Sequence, residues 1–218
     1  MIEEVEGILS DLEARVLGCL MEKQMTTPDY YPLTLKALTA ACNQKSSRVP
    51  VMDLTTGEVG GVVNGLRAEG LATARMDGRA DRFEQHLSRK LSLSTKQRAV
   101  ICVLMLRSAL TLNEIRINTG RMVNFESTEE LQDLLDELIH RDEPLLLKID
   151  RVAGQREDRY AHLLCGMPEF EQVVAKTIAG TSVGNKMDND RITLLEKEVA
   201  ELKEELKQLW QLTGLTKA

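Results

Sequence analysis

The sequence predicts a mainly α-helical fold with small β-hairpins, an α+β class, in which one order of elements occurs twice. The first observation is a repeated helix-start pattern, in which Ser or Thr is followed three residues later by Glu or Gln. The second observation is that apolar residues at spacings of three and four follow these starts, as in amphipathic helices. The third observation is a pair of similar segments 77 residues apart, Asp81-Arg82-Phe83 and Asp158-Arg159-Tyr160. The five helix starts are Ser10…Glu13, Thr55…Glu58, Ser94…Gln97, Thr111…Glu114 and Ser127…Glu130.

The first half is predicted to contain three helices and a hairpin. Pro32 is expected to open the second helix, because its missing N–H costs nothing at the first helical position. Gly70 ends the third helix in the left-handed conformation. Asp77-Gly78 is a hairpin signal between two short strands. The predicted bounds are 11–24 for the first helix, 43–53 for a polar loop, 56–69 for the third helix, and 71–76 and 82–87 for the strands.

The second half repeats this order. Its third helix places Leu131, Leu134, Leu135 and Leu138 on one face. Three helices followed by a hairpin form the winged-helix arrangement, a helix-turn-helix variant. We therefore predict two tandem winged-helix domains. The predicted bounds are 1–91 and 92–166 for the domains, 96–107, 112–119 and 128–141 for the second set of helices, and 145–152 and 159–164 for its strands.

The C-terminal segment is predicted to be a linker, 167–187, followed by a coiled-coil helix, 188–218. The helix has a narrow apolar seam surrounded by Glu and Lys, which favours self-association. The alternative is that this helix packs back onto its own domains. We expect a homodimer formed through this helix or through the second domain. The seam consists of Ile192, Leu195, Val199, Leu202, Leu206 and Leu209.

The chain of 218 residues carries 34 acidic and 28 basic residues, a formal net charge of −6. This balance disfavours non-specific binding to nucleic acid through overall charge, but a local basic patch remains compatible with it. Resolved by segment, residues 10–91 carry a charge of +1. No apolar stretch is long enough for a membrane span, and the acidic N-terminus lacks the features of a secretory signal. A cytoplasmic protein without membrane contact is expected.

The first half also carries motifs of a known family. These are Leu12-Glu13-Ala14-Arg15-Val16-Leu17-Gly18-Cys19-Leu20-Met21-Glu22-Lys23-Gln24, Thr26-Thr27-Pro28, Tyr31-Pro32-Leu33, Ala41-Cys42-Asn43-Gln44-Lys45, and Arg48 with Pro50-Val51-Met52. With these motifs, roughly residues 10–166 resemble the bacterial YceH-like proteins. The resemblance implies tandem winged-helix domains and a bacterial cytosolic setting, and it brings no catalytic residues.

A winged helix that reads DNA places its third helix in the major groove, while the hairpin, or wing, contacts phosphates. The first domain offers polar and basic side chains on three elements of this kind. The alternative is a solvated surface, with Arg82 paired to Asp81 or Glu84. The candidate DNA-binding residues are Lys45, Ser46 and Arg48 in the loop, Asn64 and Arg67 on the third helix, and Arg75, Arg79 and Arg82 on the wing.

The predicted third helix of the first domain also carries Gly57, Gly61 and Gly65 at every fourth position. Interior glycines cost about 1 kcal/mol each relative to alanine, so one explanation is that the bare backbone serves a neighbouring helix, a phosphate backbone or a partner protein. A helix with so few side chains has little capacity for base readout. Close packing within the domain is the other explanation.

The predicted third helix of the second domain is acidic, so presenting it to phosphates would be repulsive. A solvated face or a contact with a partner protein fits it better. This leaves a second hypothesis for the whole chain: a protein-interaction module, or a subunit of a larger complex, without direct DNA binding. The acidic residues are Glu129, Glu130, Asp133, Asp136 and Glu137.

No pattern in the sequence indicates an enzyme. A dinucleotide fingerprint, a phosphate loop and a nucleophile elbow are all missing. The four cysteines contain no Cys-x-x-Cys pair, which favours buried reduced thiols over a zinc site. His86 and His162 occupy matching places in the two hairpins and are interpreted as structural positions. We therefore expect no catalytic residues, no cofactor and no metal.

Overall fold

The computed structural model describes residues 7–77, 80–151 and 157–167, which form a mixed α+β structure. The predicted coiled coil at 188–218 and the linker after Met167 lie outside the described residues. The helices are α1 (Asp11–Thr26), α2 (Leu35–Cys42), α3 (Thr56–Ala68), α4 (Leu87–Lys90), α5 (Thr95–Arg107), α6 (Leu112–Thr119) and α7 (Thr128–Ile139). The strands are β1 (Leu33–Thr34), β2 (Ala72–Asp77), β3 (Ala80–Gln85), β4 (Leu110–Thr111), β5 (Leu146–Ile149) and β6 (Arg159–His162).

The strands form two small antiparallel sheets, with orders β1-β3-β2 and β4-β6-β5. In each sheet a two-residue strand before the second helix pairs with the last strand of that half. The matching pairs are Leu33 with Phe83 and Leu110 with Tyr160, so both residues of the first pair recur 77 positions later. The repeat predicted from the sequence is therefore confirmed, and it includes two short strands that the sequence did not reveal.

The start of the second helix was wrong in the sequence prediction. Pro32 does not open α2, because Leu33 and Thr34 form β1 and pair with β3 before the helix begins. Thr34 is the N-cap, and its side-chain oxygen accepts the N–H of Ala37 at 3.3 Å. The Pro32 carbonyl instead accepts a hydrogen bond from Arg82 Nη1 at 3.1 Å.

Four of the five predicted capping boxes are reciprocal in the structure, namely those at Ser10, Thr55, Ser94 and Thr111. The fifth is only half formed. Ser127 accepts the N–H of Glu130, but the Glu130 carboxylate takes the N–H of Glu126 and the ammonium of Lys96. This side chain ties the start of α7 to α5 instead of closing its own cap.

The two halves share one hydrophobic core, and all described residues lie in one compact unit, 1–176. The contact between halves runs along α1 and α5, which pack side by side. A Cβ added to Gly18 would meet Leu106 at 3.0 Å, so the helices approach closely there. The Cys102 thiol donates to the Gly18 carbonyl at 3.4 Å. In the described part of the chain, we find no helix with the length and apolar character of a membrane span.

Candidate nucleic-acid interface

Helix α3 presents two of the predicted DNA-binding residues to solvent. Its inner face holds Val59, Val63 and Leu66, which are fully buried. On the opposite side, Asn64 and Arg67 are exposed, and Arg67 Nη1 donates to Asn64 Oδ1 at 3.0 Å. This bond lies wholly in solvent, so both side chains can exchange it for contacts with another molecule at little cost.

The glycines of α3 lie on its open side. A Cβ added to Gly61 or Gly65 would meet nothing within 4 Å, and one added to Gly57 would touch only the Thr55 hydroxyl, at 3.9 Å. Close packing within the domain therefore explains neither Gly61 nor Gly65. Gly60 differs, since its Cβ would lie 3.4 Å from Leu35. The bare backbone of α3 is exposed and accessible to another molecule.

The β2–β3 hairpin holds one well-exposed candidate. The Arg75 side chain is 72% exposed and forms a salt bridge with Glu84 at 3.0 Å. Arg82 is half-buried, and its guanidinium donates to the Pro32 carbonyl, so it connects β3 to the chain before β1. Arg82 therefore has a structural contact, and the DNA contact predicted for it stays a prediction. Arg79 lies outside the described residues.

Arg48 is also a structural residue, and the DNA contact predicted for it is wrong. Its side chain is completely buried and hydrogen-bonds with both carboxylate oxygens of Glu22, at 2.7 and 3.1 Å. Further bonds go to the Ala41 carbonyl and the Gln44 side chain. Burial raises the pKa of Glu22, but the hydrogen bonds and charge of Arg48 outweigh it and leave that pKa below its ordinary value of 4.5. Phosphate cannot reach this guanidinium.

The loop that contains Arg48 connects the two halves. Val49 N–H donates to the Leu106 carbonyl at 2.9 Å, and Arg107 donates to the Ser47 hydroxyl at 2.7 Å. The buried Arg15 donates to the Pro50 carbonyl at 2.7 Å. This α2–α3 loop, 43–55, is five residues longer than its counterpart, 120–127. Of the candidate DNA-binding residues in this loop, Lys45 and Ser46 are exposed for an external contact.

Helices α3 and α7 occupy equivalent places and differ on their exposed faces. Each buries the fourth, eighth and eleventh residues after its N-cap, which are Val59, Val63 and Leu66 in α3. On this alignment, Gly57, Gly61 and Gly65 correspond to three exposed acids on α7. Those acids are Glu129, Asp133 and Glu137. One half therefore presents bare backbone where the other presents negative charge.

An open pocket of about 770 Å³ lies in the second half, between α6, α7 and the β5–β6 hairpin. It went unnoticed in the sequence because its polar residues come from four separate elements. Lys148 and Asp158 form a salt bridge across its wall at 3.0 Å. The pocket residues are Leu112, Asn113, Arg116, Thr128, Gln132, Lys148, Arg151, Glu157, Asp158 and Tyr160.

The thiols and histidines form no cluster with metal-binding geometry among the described residues. Cys19, Cys42 and Cys102 are buried, Cys165 is half-buried, and all four are free thiols. His86 bonds with the Thr73 hydroxyl at 3.0 Å, on the exposed side of the hairpin. His162 sits in a different environment, where burial lowers its pKa to about 4. The two histidines do not share a site.

Comparison with known proteins places these features in a family. A family model described as "Protein of unknown function, DUF480" matches residues 9–155. A UPF0502 protein of Cellvibrio japonicus is 44% identical over 208 residues, which cover 94% of this chain and 95% of that protein. A UPF0502 protein of Vibrio atlanticus is 38% identical, covering 93% and 95%, and one of Pseudomonas putida is 43% identical, covering 88% and 89%.

The matched region contains both sheets apart from β6, and the relatives align over nearly their whole lengths. These matches agree with the YceH-like resemblance seen in the sequence motifs. The chain belongs to the DUF480 family of bacterial UPF0502 proteins.

Proposed function

We propose that the chain is a tandem winged-helix protein that binds duplex DNA through its first half, in a regulatory role. The observation that carries the proposal is the solvent face of α3, where Asn64 and Arg67 stand beside the bare backbone of Gly61 and Gly65. In winged-helix DNA readers the third helix enters the major groove, and a face without side chains permits unusually close approach.

The remaining contacts are expected to be with phosphates. Lys45 and Ser46 are exposed on the α2–α3 loop, and Arg75 is exposed on the β2–β3 hairpin. Arg79, which lies outside the described residues, is expected from the sequence to join them. Because two side chains on α3 give little base readout, the expected binding is weakly sequence-specific and strongly salt-dependent.

The test is a fluorescence anisotropy titration of the full chain with duplex DNA at low and moderate salt. Arg67→Gln is expected to weaken binding about tenfold, because it removes a charged donor from the centre of the interface. The matched control is Arg121→Gln, which removes an exposed arginine from the second half. Absence of binding at low salt, or equal weakening by both variants, would refute the proposal.

A charged substitution on the exposed side of α3 tests whether this surface, and not another part of the protein, binds DNA. Gly61→Glu places a carboxylate where the structure leaves open space, so the fold is expected to survive while phosphate repulsion abolishes DNA binding. Circular dichroism and thermal unfolding report the fold of the same sample. Full DNA binding by a folded Gly61→Glu chain would remove α3 from the interface.

The rest of the molecule is proposed to support self-association in the cytoplasm, with no enzymatic activity. The second half and the coiled-coil helix at 188–218 would form a homodimer, which brings two α3 helices to one duplex. Analytical ultracentrifugation of the full chain and of a chain ending at Met187 measures this. A monomeric full chain at tens of micromolar would contradict it.

The second candidate function is a protein-interaction module without direct DNA contact. The acidic face of α7, with Glu129, Asp133 and Glu137 exposed, favours it. A basic partner surface would be the complement of this face. Reversing the charges of two of these acids to lysine would abolish capture of such a partner from cells while leaving DNA binding by the first half intact. Under the DNA-binding proposal, substitutions on α3 abolish binding and substitutions on α7 do not.

A further inference from the structure

The pocket of the second half contains positive charge that the protein does not neutralise. Among the described residues, neither Arg116 on α6 nor Arg151 after β5 forms a side-chain hydrogen bond or ion pair, and both line the pocket. Lys148 and Asp158 cancel each other through their salt bridge. Glu157 also lines the pocket and forms no ion pair with either arginine among the described residues. The pocket keeps a net charge of +1.

Neutral polar side chains also line the pocket. Asn113 is exposed on α6 and lines the pocket. Thr128, the first residue of α7, lines the pocket with its hydroxyl-bearing side chain, while the acids Glu129 and Glu130 already compensate the positive end of that helix. Gln132 is held in place, since its amide oxygen accepts from the Tyr160 hydroxyl at 3.2 Å and its nitrogen donates to Asp136 at 3.1 Å.

We propose that this pocket binds a small molecule carrying a phosphate or pyrophosphate group, with Arg116 and Arg151 as its charged ligands. Guanidinium groups offer paired donors that match phosphate oxygens. The volume of about 770 Å³ lies within the range of small-molecule sites. The inference is independent of DNA binding by α3, because it uses other residues in the other half of the chain.

The surroundings favour a small anion over a nucleic-acid duplex. Glu129, Asp133 and Glu137 are exposed on α7 beside the pocket residues Thr128 and Gln132. A duplex lying across α7 would bring many phosphates against these carboxylates, which is repulsive. A phosphate group inside the pocket meets Arg116 and Arg151 instead.

Isothermal titration calorimetry of the full chain with sodium pyrophosphate at low salt tests the proposal. One saturable site per chain is expected, and pyrophosphate should also raise the Tm of the wild type. Arg116→Gln and Arg151→Gln should each weaken binding about tenfold, the effect of losing one charge-assisted contact. Arg121→Gln, which removes an exposed arginine outside the pocket, should change it less than about twofold.

Three outcomes would overturn the proposal. The first is that wild-type protein shows neither saturable pyrophosphate binding nor a rise in Tm. The second is that Arg121→Gln weakens binding as much as the pocket variants do, which would indicate general charge attraction. The third is that Arg116→Gln weakens duplex DNA binding as strongly as Arg67→Gln, which would make the pocket a nucleic-acid contact.

Discussion

His162 shows at the scale of a single residue how a half-buried histidine with an inaccessible ring nitrogen couples folding to pH. It lies at the end of β6 beside a cavity of about 80 Å³ that Arg15, Ser108 and Cys165 also line. Burial lowers the pKa of His162 from 6.5 to about 4, and the Asp11 carboxylate opposes this only partly. In the described structure, its Nδ1 has no hydrogen-bond partner.

The free energy of unfolding is therefore expected to decrease as the pH is lowered, because the unfolded state binds a proton at His162 more readily than the folded state does. Its pKa is lower in the folded chain than in the unfolded chain, so the unfolded state takes up the proton first. Stability is full above pH 6.5 and declines as pH falls from 6.5 towards 4. His162→Gln removes this dependence. The equivalent residue in the first half is Gln85 and not His86, as the sequence interpretation had it, because Phe83 corresponds to Tyr160 at an offset of 77 residues. Thermal unfolding at pH 7 and pH 5 measures it, and an equal loss of Tm in both proteins would contradict it.

Residue roles in the first half were only partly predictable from the sequence. Arg48 stands in a polar loop between Ser47 and Val49, a context typical of exposed residues, and its local sequence does not show that Glu22 lies opposite. Arg67 stands in an amphipathic helix whose period fixes its direction, so its exposure was predictable. In a helix, the periodicity of the sequence predicts whether a side chain faces the core or the solvent. In a loop, this depends on which distant parts of the chain pack against it.

At the scale of elements, α3 and α7 are equivalent helices that bury the same positions and expose different residues. Both helices bury three apolar residues at the same positions after a Thr or Ser N-cap. The exposed positions differ completely, with glycine on α3 and acids on α7. The equivalent burial shows that the core constrains only the inner positions, so the outer ones were free to specialise.

Alanine is therefore expected to stabilise α3 where glycine now stands. Gly61→Ala and Gly65→Ala should each raise the free energy of unfolding by about 0.5–1 kcal/mol, because alanine restricts the unfolded chain and meets no neighbour. Urea unfolding measures the change. The matched control is Gly18→Ala on α1, which should lower stability, because its Cβ would meet Leu106 at 3.0 Å. Loss of stability in Gly61→Ala would show that another part of the protein covers this face.

Most element types and several bounds were predictable, and the misses share a cause. The α6 prediction, 112–119, matches the structure. The two-residue strands β1 and β4 were missed because their only support is pairing with strands about 50 residues away. The half-formed cap at Ser127 was missed because Lys96, a residue of another helix, takes the Glu130 carboxylate. Local signals predict helices well, and long-range pairing modifies their ends.

At the scale of the whole molecule, the two halves are expected to unfold together. They share a core along α1 and α5, and the 43–55 loop bonds to both halves. Gly18→Leu overfills that contact and should cost about 1–3 kcal/mol. Hydrogen exchange should then show equal loss of protection in the β1–β3–β2 and β4–β6–β5 sheets. Gly61→Leu, on the open face, should leave both sheets protected, and unchanged exchange in the second sheet of the Gly18→Leu chain would contradict a shared core.

The 43–55 loop has a consequence for how the molecule evolved. The halves align without change in spacing across β1 and α2 against β4 and α6, as expected after duplication of one ancestral unit. The five additional residues are confined to this loop, beside Arg48 and the bonds that fasten the copies together. Once such a loop binds both copies, they are no longer independent domains joined by a linker. Each copy then becomes free to lose the ability to fold alone while its outer surface takes on a separate task.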